Sequence, residues 1–367
     1  LANGIEFKHP KDIFDKKDLS GFKNIKEANA ETTKREEKVP PPFPFDLTTL
    51  QRESHNKHNL SPSRTLQIAQ SLYLDGLISY PRTSSQKIPQ QINPKEILKK
   101  LIKKYPEVKI ASRTIPIEGP KTDPAHPSIY PTGDFKVLDG DEKKIYDLIV
   151  KRFISVFCPD AITANKRITL TAENGKIFTA NGLVVLENGW TKVYPYKFDE
   201  RQLPDMSGKT KIDKIRFDEK ITQPPNRYTA ASLVSLLEKK NLGTKTTRSM
   251  IIDILFERGY LDGKSIQATP LGKKLIEALE KFSPIIIDEQ LTTKLEDEMD
   301  EIYNSKSNFK EKEDKVLEEV KRVITDISKD FKAHELEIGK DLLKGTQDLR
   351  EMQKENNTLM PCPVCKT

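Results

Sequence analysis

The sequence predicts a multidomain α+β protein, and three observations carry that prediction. The chain has 367 residues, enough for about two or three domains at ~100–200 residues each. Hydrophobic residues make up 35 % and charged residues 32 %, a modest core supply that suits several small domains or an open shape better than one large globule. The spacing of apolar residues also changes along the chain. It is helical in stretches near residues 62–76, 94–105 and 141–157, alternating within 161–221, and helical again from Tyr228.

Residues 1–38 are short apolar runs broken by charge, ending in EANAETTKREEKV. The run from Pro40 to Pro44, with Phe43 inside it, is stiff and non-helical and marks a domain boundary. Ser61 and Pro62 then supply an N-cap and a first helical residue. Leu66, Ala69, Leu72 and Tyr73 share one helical face, and Gly76 supplies the stop. LISYPRTSS follows over residues 77–85, where Pro81 biases Tyr80 towards extended backbone. Residues 94–105 predict a basic amphipathic helix and 141–157 another, with the proline-rich GPKTDPAHPSIYPTG between them. The alternating ITLTAENGKIFTANGLVVLENGW, with turn signals at Asn174–Gly175 and Asn188–Gly189, predicts a β-meander or a small barrel piece. RYTAASLVSLLEKKNLG predicts a helix capped by Thr229 and ended near Asn241 and Gly243. The TKTT turn opens a second helix, RSMIIDILFERGYL, and the pair reads as helix–turn–helix. Residues 271–350 predict charged amphipathic helices with no sustained heptad seam, and no internal repeat stands out.

Bulk properties narrow the partners. A net charge of +7 and a pI near 8.9 favour a polyanion without proving one. The three cysteines, Cys158, Cys362 and Cys365, are too few and too odd for a disulfide framework and fit a reducing compartment. No apolar run is long enough for a transmembrane helix, so no membrane partner is expected. The N-terminus has neither a signal-peptide core nor an initiator Met, which reads as a piece cut from a longer protein.

Four stretches, in fixed order, carry a resemblance. In IAQSLYLDGLISYPRTSS (68–85), Ala69, Gln70, Leu72, Tyr73, Gly76, Ile78, Tyr80, Arg82 and Thr83 match the active-tyrosine signature of type IA DNA topoisomerases. PFDLTTLQRE (44–53), DPAHPSIYPTG (123–133) and PPNRYTAASLVSLLEKKNLGTKTTRSMIIDILFERGYL (224–261) resemble three further segments of that family, and KFSPIIIDEQLTTKLEDEMDEI (281–302) fits the helical stretch after them. There are departures. Ser84–Ser85 stand where the family usually has Asp-Ser, and Pro127 and Tyr130 replace the usual Glu and Arg, a change that resembles archaeal members. The family's G-x-G-R-P-S-T turn reads Asn241 to Thr247. Nothing resembles the family's Toprim domain, which holds a catalytic Glu and the acidic Mg²⁺ ligands, so the expected chain starts after it.

The resemblance implies roles residue by residue. Tyr80 attacks a DNA phosphorus, takes the 5′ phosphate and releases a 3′ hydroxyl. A phenol with a pKa of about 10 needs positive surroundings at neutral pH. Arg82 lies two residues on, so extended backbone projects it to the same side as Tyr80, and its guanidinium can grip two phosphate oxygens. The plain alternative is a core aromatic and a surface charge. His126 donates to a phosphate or merely orders its loop; Thr132 is a lesser phosphate-contact candidate. At the start of the second helix Gly243, Lys245, Thr246 and Thr247 match a phosphate-holding turn, with Lys245 near the charge that Thr244 lacks; ordinary N-capping is the alternative. Arg258 matches a DNA-contacting Arg or complements the helix dipole. Arg64, Lys57 and His58 suit a solvated face; Gln70 and Tyr73 suit packing. Cys362 and Cys365 form half of a four-cysteine zinc ribbon, so zinc is expected in a longer protein and not here.

The implied architecture is part of a toroid. Residues 1–40 and 159–223 build a β-rich arch, 41–158 a winged-helix-like tyrosine domain, 224–350 a helical single-strand-binding domain, and 351–367 the start of a truncated ribbon. The implied activity is Mg²⁺-dependent, ATP-independent relaxation of negative supercoils by a cytoplasmic, nucleoid-associated monomer acting on single-stranded or underwound DNA. The rivals are a non-catalytic winged-helix DNA-binding module and the topoisomerase half of a reverse gyrase; a tyrosine recombinase is poorer, because its Arg/His/Arg framework is not apparent. This chain alone is expected to be inactive.

Overall fold

Thirteen consecutive residues that read as a charged run form the strand on which one sheet is built. A computed structural model describes residues 1–305 and 307–357, except the side chains of Asn304, Phe309 and Asn356. In it β1 (Glu27–Val39) pairs antiparallel with β2 (Ala161–Ala172) from Ala28, opposite Ala172, to Val39, opposite Ala161. β3 (Ile177–Glu187) and β4 (Gly208–Lys211) complete a four-stranded sheet of order β3-β2-β1-β4. That order is open, so there is no closed barrel; the predicted segment supplies one hairpin, β2–β3, while β4 pairs with β1 instead of extending it into a meander. Only Ala28 and Ala30 of β1 are buried, which is why no hydrophobic alternation announces the strand. They pack with Ile168, Leu170, Ala180, Leu203 and Met206. Gly175 in the β2–β3 turn has φ +76, the left-handed backbone that the Asn-Gly pair predicts.

The chain divides into two compact units. The first comprises Leu1–Phe45, Leu72–Ser79 and Ser85–Pro224. Besides the sheet it holds α3 (Pro94–Leu101) and α4 (Gly140–Ser155). α3 is shorter than the predicted 94–105 because Pro106 opens a 3-10 turn and holds Tyr105 out of helical backbone. α4 buries Ile145, Leu148, Ile149 and Phe153. It also buries Arg152, whose guanidinium lies 4.3 Å from the Phe45 ring and 4.2 Å from the Tyr194 ring.

The second unit comprises Asp46–Ser71, Tyr80–Ser84 and the chain from Pro225 onward. α1 (Leu47–His58) starts with a capping box: Asp46 Oδ1 accepts from the Thr49 amide at 2.7 Å and Thr49 Oγ1 accepts from the Asp46 amide at 3.1 Å. α2 (Pro62–Leu74) follows and belongs to this unit as far as Ser71; Gly76, in the first unit, has φ +73. Thr229 caps α5 (Ala230–Lys239), and α6 (Arg248–Glu257) comes next. β5 (Leu261–Asp262) and β6 (Gln267–Ala268) form a short hairpin before α7 (Pro270–Phe282) and α8 (Glu289–Asn304). α9 (Phe309–Asn357) spans 49 residues and packs on α7 through Ala278, Phe282 and Ile338. It runs through residue 350 without a break. Cys362 and Cys365 lie outside the described residues.

Candidate active site

Within the first unit, the chain leading to Tyr80 is fastened to the proline-rich loop. Ile78 bridges Pro131. The Ser79 amide donates to the Tyr130 carbonyl at 2.9 Å, and the Tyr130 amide donates back to Ser79 Oγ at 3.0 Å. Ser79 Oγ in turn donates to the Ser128 carbonyl at 3.0 Å. The Thr132 amide donates to the Leu77 carbonyl at 3.0 Å, and Thr132 Oγ1 donates to the Gly76 carbonyl at 2.7 Å. That hydroxyl therefore fastens the turn after α2. His126 is half-buried, and its amide and that of Ala125 donate to Asp123 Oδ1 at 3.3 and 3.1 Å. Such an Asx turn holds the histidine's backbone. Sequence reasoning missed Ser79, which occupies a variable position of the tyrosine signature; its polarity beside buried Ile78 was the available signal.

In the second unit Tyr80 and Arg82 are half-buried while Pro81 and Thr83 are buried. The alternation is that of extended backbone, so residues 80 and 82 share a side. The Leu47 amide at the start of α1 donates to the Thr83 carbonyl at 3.0 Å, which fixes the segment just past the arginine. Arg82 Nε is buried and has no hydrogen-bond partner among the described residues. A buried donor of a charged group left unmatched costs about 1–3 kcal/mol or more, so this nitrogen is suited to an acceptor that arrives from outside.

The same unit holds the threonine-rich turn. α1 packs on α5, and α5 packs on α6. Gly243 has φ +63. Thr244 Oγ1 lies 2.9 Å from Thr246 Oγ1 and 3.1 Å from Thr247 Oγ1, and the Thr244 amide donates to Thr247 Oγ1 at 3.0 Å. Thr247 itself makes no cap hydrogen bond to α6. The Thr244 amide bond to Thr247 Oγ1, which in turn donates to the Thr244 carbonyl at 3.4 Å, is half of a capping box with Thr244 as the cap, so helix capping accounts for part of this cluster. Lys245 and Thr246 are half-buried beside them, and Arg258 is exposed at the far end of α6. Arg248, which the sequence reading passed over, is buried and its Nε donates to the Leu242 carbonyl at 3.1 Å. Burial pulls its guanidinium below its ordinary pKa. A cation at a first-turn position looks solvated in sequence, so nothing announced this clamp.

Among the described residues no three of His, Cys, Asp or Glu converge on a point where a metal could sit. Among them, too, no helix is long and apolar enough to cross a membrane.

Comparison with known proteins places these residues in context. The sequence profile described as DNA topoisomerase matches residues 5–314. The chain is 41 % identical over 348 residues to DNA topoisomerase 1 of Pyrococcus horikoshii, covering 90 % of this chain and 49 % of that protein. It is 40 % identical over 334 residues to DNA topoisomerase 1 of Methanothermobacter thermautotrophicus, covering 89 % and 45 %. It thus spans about half the length of these curated relatives. Among solved structures, full-length topoisomerase I from Thermotoga maritima matches with a TM-score of 0.71 at 27 % identity, over 88 % of this chain and 56 % of that one.

Proposed function

Because the chain belongs to the type IA DNA topoisomerases, we propose that it supplies the cleaving tyrosine and the single-strand grip of a relaxing enzyme. The Tyr80 phenolate oxygen attacks a backbone phosphorus of single-stranded DNA. The P–O3′ bond breaks, the 3′ oxygen takes a proton, and the 5′ phosphate stays on Tyr80 as an ester. Reversal reseals the strand after another has passed, and no ATP is consumed because the ester conserves the bond. Arg82 holds the non-bridging oxygens and the charge that grows on them. The observation that carries the reading is the unmatched buried Arg82 Nε on the same side of the segment as Tyr80.

Gly243, Lys245, Thr246 and Thr247 hold a phosphate of the bound strand at the start of α6, where backbone N–H groups favour an anion. Arg258 gives a further backbone contact. His126 donates to a phosphate of the strand, and Thr132 serves it indirectly by fixing the turn at Gly76. Residues 41–158 act as the winged-helix-like tyrosine domain, 1–40 with 159–223 as the arch, and 224–350 as the strand-binding domain. The described residues do not fit a metal ion, so no step here is routed through one; the Mg²⁺ of family enzymes belongs to their Toprim domain. The substrate is single-stranded or underwound DNA, and the protein acts on it as a monomer in the cytoplasm at the nucleoid.

The test is relaxation of a negatively supercoiled plasmid, without ATP, by the polypeptide joined to an upstream Toprim domain. Relaxation that disappears in Tyr80→Phe is the expected result. Unchanged relaxation by Tyr80→Phe overturns the assignment.

A further inference from the structure

One twenty-residue segment of this chain carries a strong basic excess. Residues 94–113 carry seven cations (Lys95, Lys99, Lys100, Lys103, Lys104, Lys109 and Arg113) against two acids, Glu96 and Glu107, whereas the whole chain has 62 against 55. Twenty residues therefore hold most of the net charge of +7. All six lysines are exposed, on α3 and the turns that follow it. Arg113 is committed to Asp160 at 2.7 Å. Lys99 pairs with Glu96 at 2.5 Å and Lys100 with Asp134 at 3.0 Å, all four more than half exposed. Lys104 lies 4.6 Å from the Phe135 ring. Lys95, Lys103 and Lys109 have no ion pair or side-chain hydrogen bond among the described residues.

We propose that this lysine face binds the phosphate backbone of duplex DNA, as a contact separate from the single-strand grip. The inference rests on the DNA-handling reading of the chain and adds a second class of DNA to it. Charge decides for a polyanion, since a protein that only needed solubility would not gather six exposed lysines, three of them without an ion pair among the described residues, on one short segment. The two exposed ion pairs are each worth little, so Lys99 and Lys100 can exchange their carboxylates for phosphates. Lys95 and Lys99 stand one turn, about 6 Å, apart on α3, which is roughly two base-pair rises of ~3.4 Å along the duplex axis. Ring chemistry decides for duplex over single strand. Sequence-tolerant single-strand surfaces stack bases on exposed aromatic rings. Here the exposed apolar side chains are Ile102 and Ile115, the Tyr105 hydroxyl is engaged with Asp147, and Phe135 sits under Lys104. Such a face reads backbone charge and leaves bases alone.

The experiment measures binding of the full 367-residue chain to a blunt duplex and to a single-stranded oligonucleotide across salt. The variant is Lys95→Ala/Lys103→Ala/Lys109→Ala. Its control is Lys321→Ala/Lys329→Ala/Lys332→Ala, which removes the same charge from exposed positions of α9. Each lost phosphate contact removes about 0.9 from the slope of log affinity against log salt. The α3 triple variant should flatten the duplex slope by about 2–3 and weaken duplex binding, with the oligonucleotide bound as before. Duplex binding that is unchanged, or that falls equally in the α9 control, overturns the proposal. Equal loss for both DNAs overturns it as well and assigns the lysines to the single-strand path. If the unaltered chain binds neither DNA, the DNA-handling reading itself fails, a result distinct from the others.

Discussion

The hydroxyl of Ser79 accepts from the amide of Tyr130 at 3.0 Å while the amide of Ser79 donates to the carbonyl of Tyr130 at 2.9 Å. One small side chain thus completes a two-way fastening at the residue immediately before Tyr80. Its hydroxyl also donates to the Ser128 carbonyl, so deleting it removes two bonds and leaves the backbone pair alone.

Ser79→Ala should therefore loosen the aim of Tyr80 without removing any reacting group. At about 1 kcal/mol per lost hydrogen bond, single-turnover strand cleavage by the polypeptide joined to an upstream Toprim domain should slow by roughly tenfold or more. Single-strand affinity should stay within about twofold, and Ser79→Thr, which keeps the hydroxyl, should restore the rate. A cleavage rate in Ser79→Ala equal to that of the unaltered protein removes Ser79 from the account.

Arg82→Lys retains a positive charge but loses the planar fork. Hydrogen bonds to charged groups are worth about 1.5–3 kcal/mol, so cleavage by the polypeptide joined to an upstream Toprim domain should slow by roughly 10–100-fold. Arg82→Ala should be slower still. Because the unmatched Nε disappears in both, neither variant should melt much below the unaltered protein. Calorimetry and a cleavage time course check the two halves of this expectation.

Gly243→Ala probes the threonine turn. The backbone there has φ +63, and an added Cβ would meet Thr247 Oγ1 at 3.3 Å. Left-handed backbone costs a non-glycine residue roughly 1–2 kcal/mol. The turn should relax away from its hydroxyl cluster, and affinity for a single-stranded oligonucleotide should fall by about 5–30-fold. Titration by fluorescence anisotropy measures this directly. Retained affinity would separate the turn from strand binding.

Cys158 gives a pH signature of the fold. Its thiol is fully buried and donates to the Ile154 carbonyl at 3.4 Å; burial pushes its pKa up from 9.0 to about 12, with nearby Arg113 opposing. A folded pKa above the unfolded one means that the neutral thiol's contribution is intact below about pH 9 and is lost as the pH rises towards 12. The melting temperature of the unaltered protein should fall more steeply over that window than that of Cys158→Ala. Parallel curves would show that the thiol is not shielded as described.

Much of this was legible in the sequence, for identifiable reasons. The end of α2 at Gly76, the Thr229 cap, the Asn174–Gly175 turn and the extended run through Tyr80 each rest on one local rule about a glycine, a hydroxyl or a proline. Local rules survive folding when the residue's own backbone preference decides. β1 was not legible, because two alanines carry its buried face and its pairing with β2 is made across more than a hundred residues. The same holds for Ser79 and Arg248. Each is a polar residue whose role depends on a carbonyl or amide supplied by another turn of the chain, and no periodicity encodes that. The orphaned Arg82 Nε is a third such case, since the motif marks the arginine but not its buried, unfilled nitrogen.

The central claim is that one phenol oxygen becomes an ester of a DNA phosphate. It is tested by incubating the polypeptide, joined to an upstream Toprim domain, with a single-stranded oligonucleotide labelled at its 3′ end, then denaturing and digesting it. The account predicts a labelled peptide whose modified residue is Tyr80, and no labelled peptide from Tyr80→Phe. A covalent adduct on any other residue, or one that persists in Tyr80→Phe, would contradict it.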